Sequence, residues 1–510
     1  MALIELRIEA PRQALISRLA SFFSARGVRA YATGGFLRDA LLALPVRDID
    51  ISIDGDPPAL GPELADAFGG HCFVLDEEKH QARVLPADGA AQIDLLPLRG
   101  DIEADLGRRD YTIDAMACRL EEAAAGRIEL IDPHRGLEDL RAGVVRATGD
   151  GVFTEDPLRL LRGVRLAVQL DFGIEPRTAG LIRTHAALIT AVAVERQRDE
   201  LMRIFGTPRA GPGMRLLDGL GLLGSVLPEM EAARGVEQPK EHHWDVLGHS
   251  FAAVDNLDML LSEDEPAAAP GRELWRELWS RLGWWTEARA YLGAEVVMGA
   301  PRSAVLKLGG FLHDIGKPET KSFDETGRMR FFGHSEAGAA IAARLMQRLR
   351  FSSREIDLVR PMIDAHLRPV QMAQQGPPTR RAVYRFFRDT GDAGIDTLFL
   401  SLADHLATVG PRPNMEGWRQ HVAVVDYVLE MRLQETEVVA PPRLLRGDEL
   451  MAALGLAPGP LLGRLLEEIR EAQAAGEISN RDEALALARR SLGQAGAPPS
   501  GDSPDYRDSS

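Results

Sequence analysis

Cysteine is nearly absent. Among 510 residues only Cys72 and Cys118 occur, which excludes a disulfide framework and a cysteine-built zinc site. Long apolar runs are missing too. None approaches the roughly 18–20 residues that a membrane span needs, so no membrane partner is expected. The N-terminal MALIELRIEAPRQALISRLA is an amphipathic helix pattern without the apolar stretch and cleavage site of a secretory signal. A reducing cytoplasm suits such a chain best. Positive charge is also in deficit. The formal net charge of -16 argues against a nucleic-acid partner, because phosphate binding draws on Lys and Arg. Clustered arginines argue the other way: Arg108-Arg109-Asp110, and the series Arg159, Arg162, Arg165. Charge alone leaves the partner open.

What is present is a globular composition, 45% apolar and 27% charged, with length for roughly three or four domains. Residues 1–30 read as a helix and the approach to a strand. From 28 to about 150, the β-like runs VRAYAT, DIDISI, HCFVLD, ARVLPA and AQIDLLPL alternate with the helical FLRDALLAL and GPELADAF. That mixture predicts a small α/β or α+β domain. Beyond residue 153 strand-like runs disappear and apolar residues recur at helical spacing. SEDEPAAAPG at 262–271 reads as a surface loop or linker. Residues 441–492 form a further helical set, and GQAGAPPSGDSPDYRDSS has the composition of a disordered end. No internal repeat is visible.

In DIDISI, Asp48, Asp50 and Ser52 alternate with Ile49, Ile51 and Ile53, the two-residue period of a half-buried strand. Both carboxylates therefore share a face, which is unfavourable unless a cation sits between them. Hard oxygen ligands suit Mg²⁺, the usual ion where a phosphoryl group is transferred. A solvated strand edge would give the same pattern. Upstream, Gly34-Gly35 follows VRAYAT and precedes FLRDALLAL, so the turn offers backbone N–H groups and a helix N-terminus to a phosphate. Arg38, in the first turn of that helix, reaches toward the same phosphates.

The run GGFLRDALL…RDIDISI resembles the opening signature of the nucleotidyltransferase superfamily, in the class II branch of bacterial CCA-adding enzymes and poly(A) polymerases. The resemblance implies an α+β nucleotidyltransferase head, a small mixed sheet with helices, followed by an all-α neck, an HD domain and a helical tail. It implies Gly34, Gly35 and Arg38 as NTP contacts and Asp48 and Asp50 as Mg²⁺ ligands. Asp94, in AQIDLL, is either a third catalytic carboxylate or a strand-end residue. LGRRDYTIDAMA at 106–117 resembles the family's RRD motif, with Tyr111 and Asp114 where Phe and Asn are usual. Arg109 and Asp110 would then contact the nucleotide, Asp110 accepting from a ribose hydroxyl. A helix-start cluster with solvated arginines is the plainer alternative.

FTEDPLRLLRGVRLAVQLDF at 153–172 places Asp156, Arg159, Arg162 and Arg165 three residues apart, a stripe along one side of a helix. Thr154 with Pro157 reads as its start. An Asp acceptor beside an Arg donor matches cytosine and adenine and clashes with uracil and guanine. Mismatched buried polar groups cost about 1–3 kcal/mol each, enough to reject UTP and GTP. The stretch resembles the family's base-selecting motif, which implies that role for Asp156 and Arg159, with Arg162 and Arg165 in the nucleotide site or its frame. DPHRGLEDL at 132–140 and VERQRDEL at 194–201 fit the family's hinge and neck segments.

His249, His313-Asp314, His334, His366 and Asp404 follow in the order of the HD phosphohydrolase domain, whose helices bring such side chains onto divalent metal. Imidazole suits Mn²⁺, Ni²⁺ or Fe²⁺. Hydrolysis of phosphomonoesters or 2′,3′-cyclic phosphates is one expectation, a metal-free relic the other. The expected organisation is head 1–150, neck 151–235, HD domain 236–410, helical tail 411–492 and disordered C-terminus 493–510. Only thirteen residues, LLPLRGDIEADLG, separate Asp94 from Arg108. Complete CCA-adding relatives carry a longer flexible loop there and CC-adding relatives a shortened one. The resemblance therefore implies a tRNA partner, CTP and ATP as nucleotides, and CC addition ahead of full CCA addition, with an A-adding partner enzyme on the same tRNA. A poly(A) polymerase shares the head. A non-catalytic RNA-binding scaffold is the competitor of another class, disfavoured by intact Asp48, Asp50, Arg109 and Asp110.

Overall fold

The computed structural model describes residues 3–46, 48–89, 91–374 and 376–495. These residues form two compact units, one ending at Pro228 and the other beginning at Glu229. Of the expected disordered C-terminus, residues 493–495 instead complete a helix, continuing its Ala- and Leu-rich pattern, and the rest lies outside the described residues.

In the first unit, helix α1 (Ala10–Ser24) buries Leu15, Ile16, Leu19 and Phe23. A six-stranded mixed sheet follows: β1 (Ala30–Thr33), β2 (Asp48–Ile53), β3 (His71–Asp76), β4 (Gln81–Leu85), β5 (Gln92–Pro97) and β6 (Ala117–Arg119), in the order β3-β4-β5-β2-β1-β6. Only β2 and β5 are parallel. The alternation in β2 does what its period dictates: Ile49, Ile51 and Ile53 are fully buried, Asp48 is exposed and Asp50 half-buried. Strand β6, Ala-Cys-Arg, was not foreseen, because three residues are too few to display a period. Helix α2 (Gly34–Leu41) joins β1 to β2, α3 (Pro57–Ala67) covers the sheet, and the short α4 (Ile102–Leu106) follows β5.

The neck contributes α5 (Arg159–Leu170) and α6 (Val194–Phe205). The four-residue stripe expected from Asp156 is broken. One turn of helix spans Val152–Glu155, and Asp156 is then extended, with φ −144° and ψ 100°. Pro157 explains this, since a proline disfavours the helical region for the residue before it. Asp156 therefore stands ahead of α5, and the three arginines run along it.

The second unit is built on α7 (Val246–Leu260), α8 (Arg302–Leu312), α9 (His334–Arg348), α10 (Ser353–Ala365), α11 (Arg380–Thr390) and α12 (Gly394–Val409). Two small hairpins interrupt the helical run, Glu295–Val297 with Ala300–Pro301 and Ser322–Phe323 with Met329–Arg330. Toward the C-terminus, α13 (Pro460–Ala474) and α14 (Arg481–Ala495) pack with the helix Gly447–Leu454 around a small core of Leu450, Leu465, Ile469, Ala472, Ala484 and Ala488. Glu467 and Glu471 of α13 accept from Arg388 and Arg385 of α11, so the tail is tied to the HD helices. No helix among the described residues is long and apolar enough to cross a membrane.

Candidate functional site

Three strand positions converge in the head. Asp50 and Asp94 are direct partners across the parallel β2–β5 ladder, and Arg83 lies opposite Asp94 on β4. Arg83 grips Asp94 with two bonds of 2.7 Å, so Asp94 is a charge already answered. Asp50 receives the backbone N–H of Phe36 at the start of α2. Its carboxyl is pushed up to about 6 by burial, with Asp94 and Asp114 adding to the rise and Arg109 opposing it. Such a carboxylate gains from a nearby cation. Asp48 stands at the exposed start of the same strand. The carboxylate pair thus suits a hard divalent ion.

The two glycines open α2 themselves. Gly34 has φ +67°, and a Cβ there would lie 2.8 Å from Asp50 Oδ2 and 2.9 Å from Arg109 Nη1. Only glycine lets the backbone come this close. Arg38 sits a turn further into α2 than the sequence suggested. It is buried, bonding Asp39 at 2.8 Å and Asp114 at 2.6 Å. Arg109 bonds Thr33 Oγ1 at 2.9 Å and Ser52 Oγ at 3.3 Å, which ties the RRD turn to both strands flanking the glycine pair.

A cavity of about 660 Å³ opens between head and neck elements of this first unit. Arg108, Arg109, Asp110, Asp156, Arg159 and Arg162 line it. Asp110 accepts from Arg162 Nε at 2.6 Å. Burial alone would raise its carboxyl, but Arg162 and Arg159 outweigh burial and hold it below the usual range. Arg159 donates to the Arg108 carbonyl at 2.8 Å and pairs with Glu155 at 3.3 Å. Asp156 is paired with Arg196 at 2.9 Å. Arg165 turns from this cluster to Glu200 of α6, at 2.7 Å, and frames the helix rather than lining the cavity.

Arg196 was not singled out by sequence, although it lies in the neck segment VERQRDEL; its partnership with Asp156 spans forty residues, which no local pattern reveals. By sequence, Asp114 and Tyr111 are departures from the motif and nothing more. The structure gives both a contact: Asp114 receives Arg38, and the Tyr111 hydroxyl donates to the Arg159 carbonyl at 2.6 Å.

In the second unit, α7 supplies His249, the end of α8 His313 and Asp314, the start of α9 His334, the end of α10 His366, and α12 Asp404. Their ligand atoms form three overlapping groups of three, each within 4.8 Å. The Nδ1 atoms of His313, His334 and His366 bond the carbonyls of Gly310, Phe331 and Ile363 at 2.8, 2.7 and 2.6 Å. Each ring is thereby turned so that Nε2 faces inward, as metal-binding histidines require. His249 Nε2 lies 3.2 Å from His313 Nε2 and 2.9 Å from Asp404. Burial would lower His313, but Asp314 and Asp404 outweigh it and raise the ring to about 10; the cluster draws in positive charge. Its donor set fits a transition-metal cation. Lys317 Nζ stands 2.6 Å from Asp314, and a cavity of about 670 Å³ gives access.

Known proteins match this arrangement along most of the chain. Residues 30–146 match the family model of the poly(A) polymerase head domain, and 171–234 that of a probable RNA- and SrmB-binding site of polymerase A. Residues 278–409 match the HD domain and 427–488 a putative tRNA nucleotidyltransferase domain 2. An A-adding tRNA nucleotidyltransferase of Deinococcus radiodurans is 34% identical over 90% of this chain and 94% of its own. A CC-adding tRNA nucleotidyltransferase of Thermus thermophilus is also 34% identical, over 90% and 92%. The solved Thermotoga maritima CCA-adding enzyme complexed with tRNA shares the fold, with a TM-score of 0.57 at 19% identity over 96% of this chain and 100% of that one. The chain belongs to the tRNA nucleotidyltransferase family, with a poly(A) polymerase-type head and an HD domain.

Proposed function

We propose that this nucleotidyltransferase matures tRNA 3′ ends by adding two CMP residues from CTP and then stopping. The observation that carries the CC reading is the interval between Asp94 and Arg108. It holds the end of β5, a turn, and α4, whose N-terminus is capped by Asp101 through the Ala104 amide at 2.8 Å. Asp105 lies 3.7 Å from Arg109 and 3.4 Å from Ser52 Oγ. A short, tied-down segment of this kind supports the expectation for a CC-adder. Overall similarity does not choose, since the A-adding and CC-adding relatives are equally identical to the chain.

In this reading Asp48 and Asp50 would hold Mg²⁺, which when bound neutralises triphosphate charge and favours the ionised primer hydroxyl. The glycine pair offers α2's N-terminus to the triphosphate, and Arg109 and Asp110 position the nucleotide from the RRD turn. Asp94 and Arg83 set the field around Asp50. Arg38 acts from behind, by fixing Asp114 and α2. Asp156 and Arg159 present the acceptor and donor that read cytosine, once their ion pairs with Arg196 and Glu155 give way. Those partners are 46% and 62% exposed, and exposed pairs contribute only about 0–1 kcal/mol, so exchanging them for a base is inexpensive. Catalysis rests on positioning and charge.

The second unit is read as a phosphohydrolase for phosphomonoesters or 2′,3′-cyclic phosphates, with Mn²⁺, Ni²⁺ or Fe²⁺ on His249, His313, Asp314, His334, His366 and Asp404. The inward-facing Nε2 atoms support it. An A-adding enzyme would complete the same tRNA, in a cytoplasmic setting.

The test offers the protein three tRNA transcripts, ending at the discriminator base, in C and in CC, each with labelled CTP or ATP and Mg²⁺. Two C additions followed by arrest are expected. AMP incorporation onto the CC end would make it a full CCA-adder or an A-adder, and unlimited AMP addition a poly(A) polymerase.

A further inference from the structure

Tyr111 is one of the two positions where the chain departs from the usual RRD motif, and its surroundings are specific to a tyrosine. The side chain is fully buried. Its hydroxyl donates at 2.6 Å to the carbonyl of Arg159, the first residue of α5. The ring lies in a notch over Gly163, one turn along. A Cβ at Gly163 would stand 2.2 Å from Tyr111 Oη and 2.9 Å from its Cζ. Glycine inside a helix is unfavourable, and α5 carries one where the hydroxyl needs the space.

Further bonds join the same two segments. Arg159 donates back to the Arg108 carbonyl at 2.8 Å, and Arg162 donates to Asp110 at 2.6 Å. Phe153, ahead of Asp156, tilts against the Tyr111 ring with centroids 6.4 Å apart. The residue between the nucleotide-facing Asp110 and the rest of the head is thus bolted to the helix start that carries the base-reading Arg159.

We propose that Tyr111 is a specificity-determining positioning residue. Its hydroxyl, seated in the Gly163 notch, sets the distance between the base-reading residues Asp156 and Arg159 and the phosphate-binding turn of the head. It touches neither base nor phosphate. A donor–acceptor template rejects the wrong base only when held in place, because small displacements let water or a tilted base satisfy the mismatch. This rests on the reading of Asp156 and Arg159 as base-selecting.

The test measures kcat/KM for CTP and UTP on a tRNA transcript ending at the discriminator base, in the wild type, Tyr111→Phe, Gly163→Ala and the double variant. Phenylalanine keeps the ring and the packing. Loss of one hydrogen bond predicts about a tenfold fall in CTP-over-UTP preference for Tyr111→Phe, with kcat on CTP little changed and the melting temperature close to wild type. Gly163→Ala should lose preference through the clash, although alanine is the better helix former. In the Tyr111→Phe background the same change should cost less, since the hydroxyl is gone. Unchanged preference in Tyr111→Phe, or strictly additive effects of the two substitutions, overturns the proposal. A wild type that uses UTP as well as CTP overturns the base-selection reading, and this proposal with it.

Discussion

Gly34 and Asp50 touch in a way that leaves no room for a methyl group: a Cβ at Gly34 would stand 2.8 Å from Asp50 Oδ2. The positive φ of +67° adds backbone strain for any other residue. Gly34→Ala must therefore push aside either the carboxylate or the helix N-terminus. A loss of about 100-fold or more in CMP addition is expected, from a misplacement of this size at the reacting centre. Single-turnover rates on tRNA measure it, and a variant within threefold of wild type would show that the contact is dispensable.

Arg38 and Asp114 form a buried pair at 2.6 Å, each about 5% exposed. Asp114→Ala leaves the guanidinium, among the described residues, with Asp39 as its remaining anionic partner. Removing one member of a buried pair costs about 3–5 kcal/mol. Asp114→Asn, which keeps an acceptor, should cost less than half of that. Urea unfolding of both variants checks the order.

His421 is buried, stacked on His405 with ring planes 17° apart, and its Nε2 lies 3.1 Å from the Ser401 carbonyl. Burial, helped by His405, lowers its pKa from 6.5 to about 4. Above pH 6.5 neither folded nor unfolded chain protonates it. Between 6.5 and 4 the unfolded chain binds a proton that the folded chain refuses, so stability falls as pH drops through that window. The shift corresponds to about 3 kcal/mol. Wild type should lose about that much more than His421→Gln between pH 7 and 4; parallel losses would contradict it.

The His–Asp cluster of the second unit is expected to act without the head. His313→Ala with Asp314→Ala should abolish tight Mn²⁺ or Ni²⁺ binding in calorimetry and any hydrolysis of 2′,3′-cyclic phosphates. CMP addition should stay within about twofold, since removing ligands lowers affinity only at their own site. Metal binding undiminished in the double variant would remove the cluster's assigned role.

Local patterns reached far into this chain because the strand and turn signals of its candidate site are local. The two-residue period of DIDISI placed β2 with its isoleucines inward, and five of the six sheet strands were legible as short β-like runs. The sixth, Ala-Cys-Arg β6, had no period to read. Partnerships across long separations were invisible: Asp156 with Arg196, Arg38 with Asp114, Tyr111 with Gly163. Asp156 stands ahead of α5 and not on it, because Pro157 disfavours the helical region for the residue before it. The histidines were legible in order, while the inward turn of their Nε2 atoms depends on backbone carbonyls that only the folded helices supply.

Nucleotide addition is expected to depend on Asp50, on β2 beside the glycine pair. The most direct measurement follows labelled CTP onto a tRNA transcript ending at the discriminator base, with Mg²⁺, for wild type and Asp50→Ala. Two C additions by wild type are expected, with a loss of about 1,000-fold or more in the variant, as when a charge-stabilising group at the reacting centre is removed. An Asp50→Ala enzyme that adds CMP as fast as wild type would contradict it.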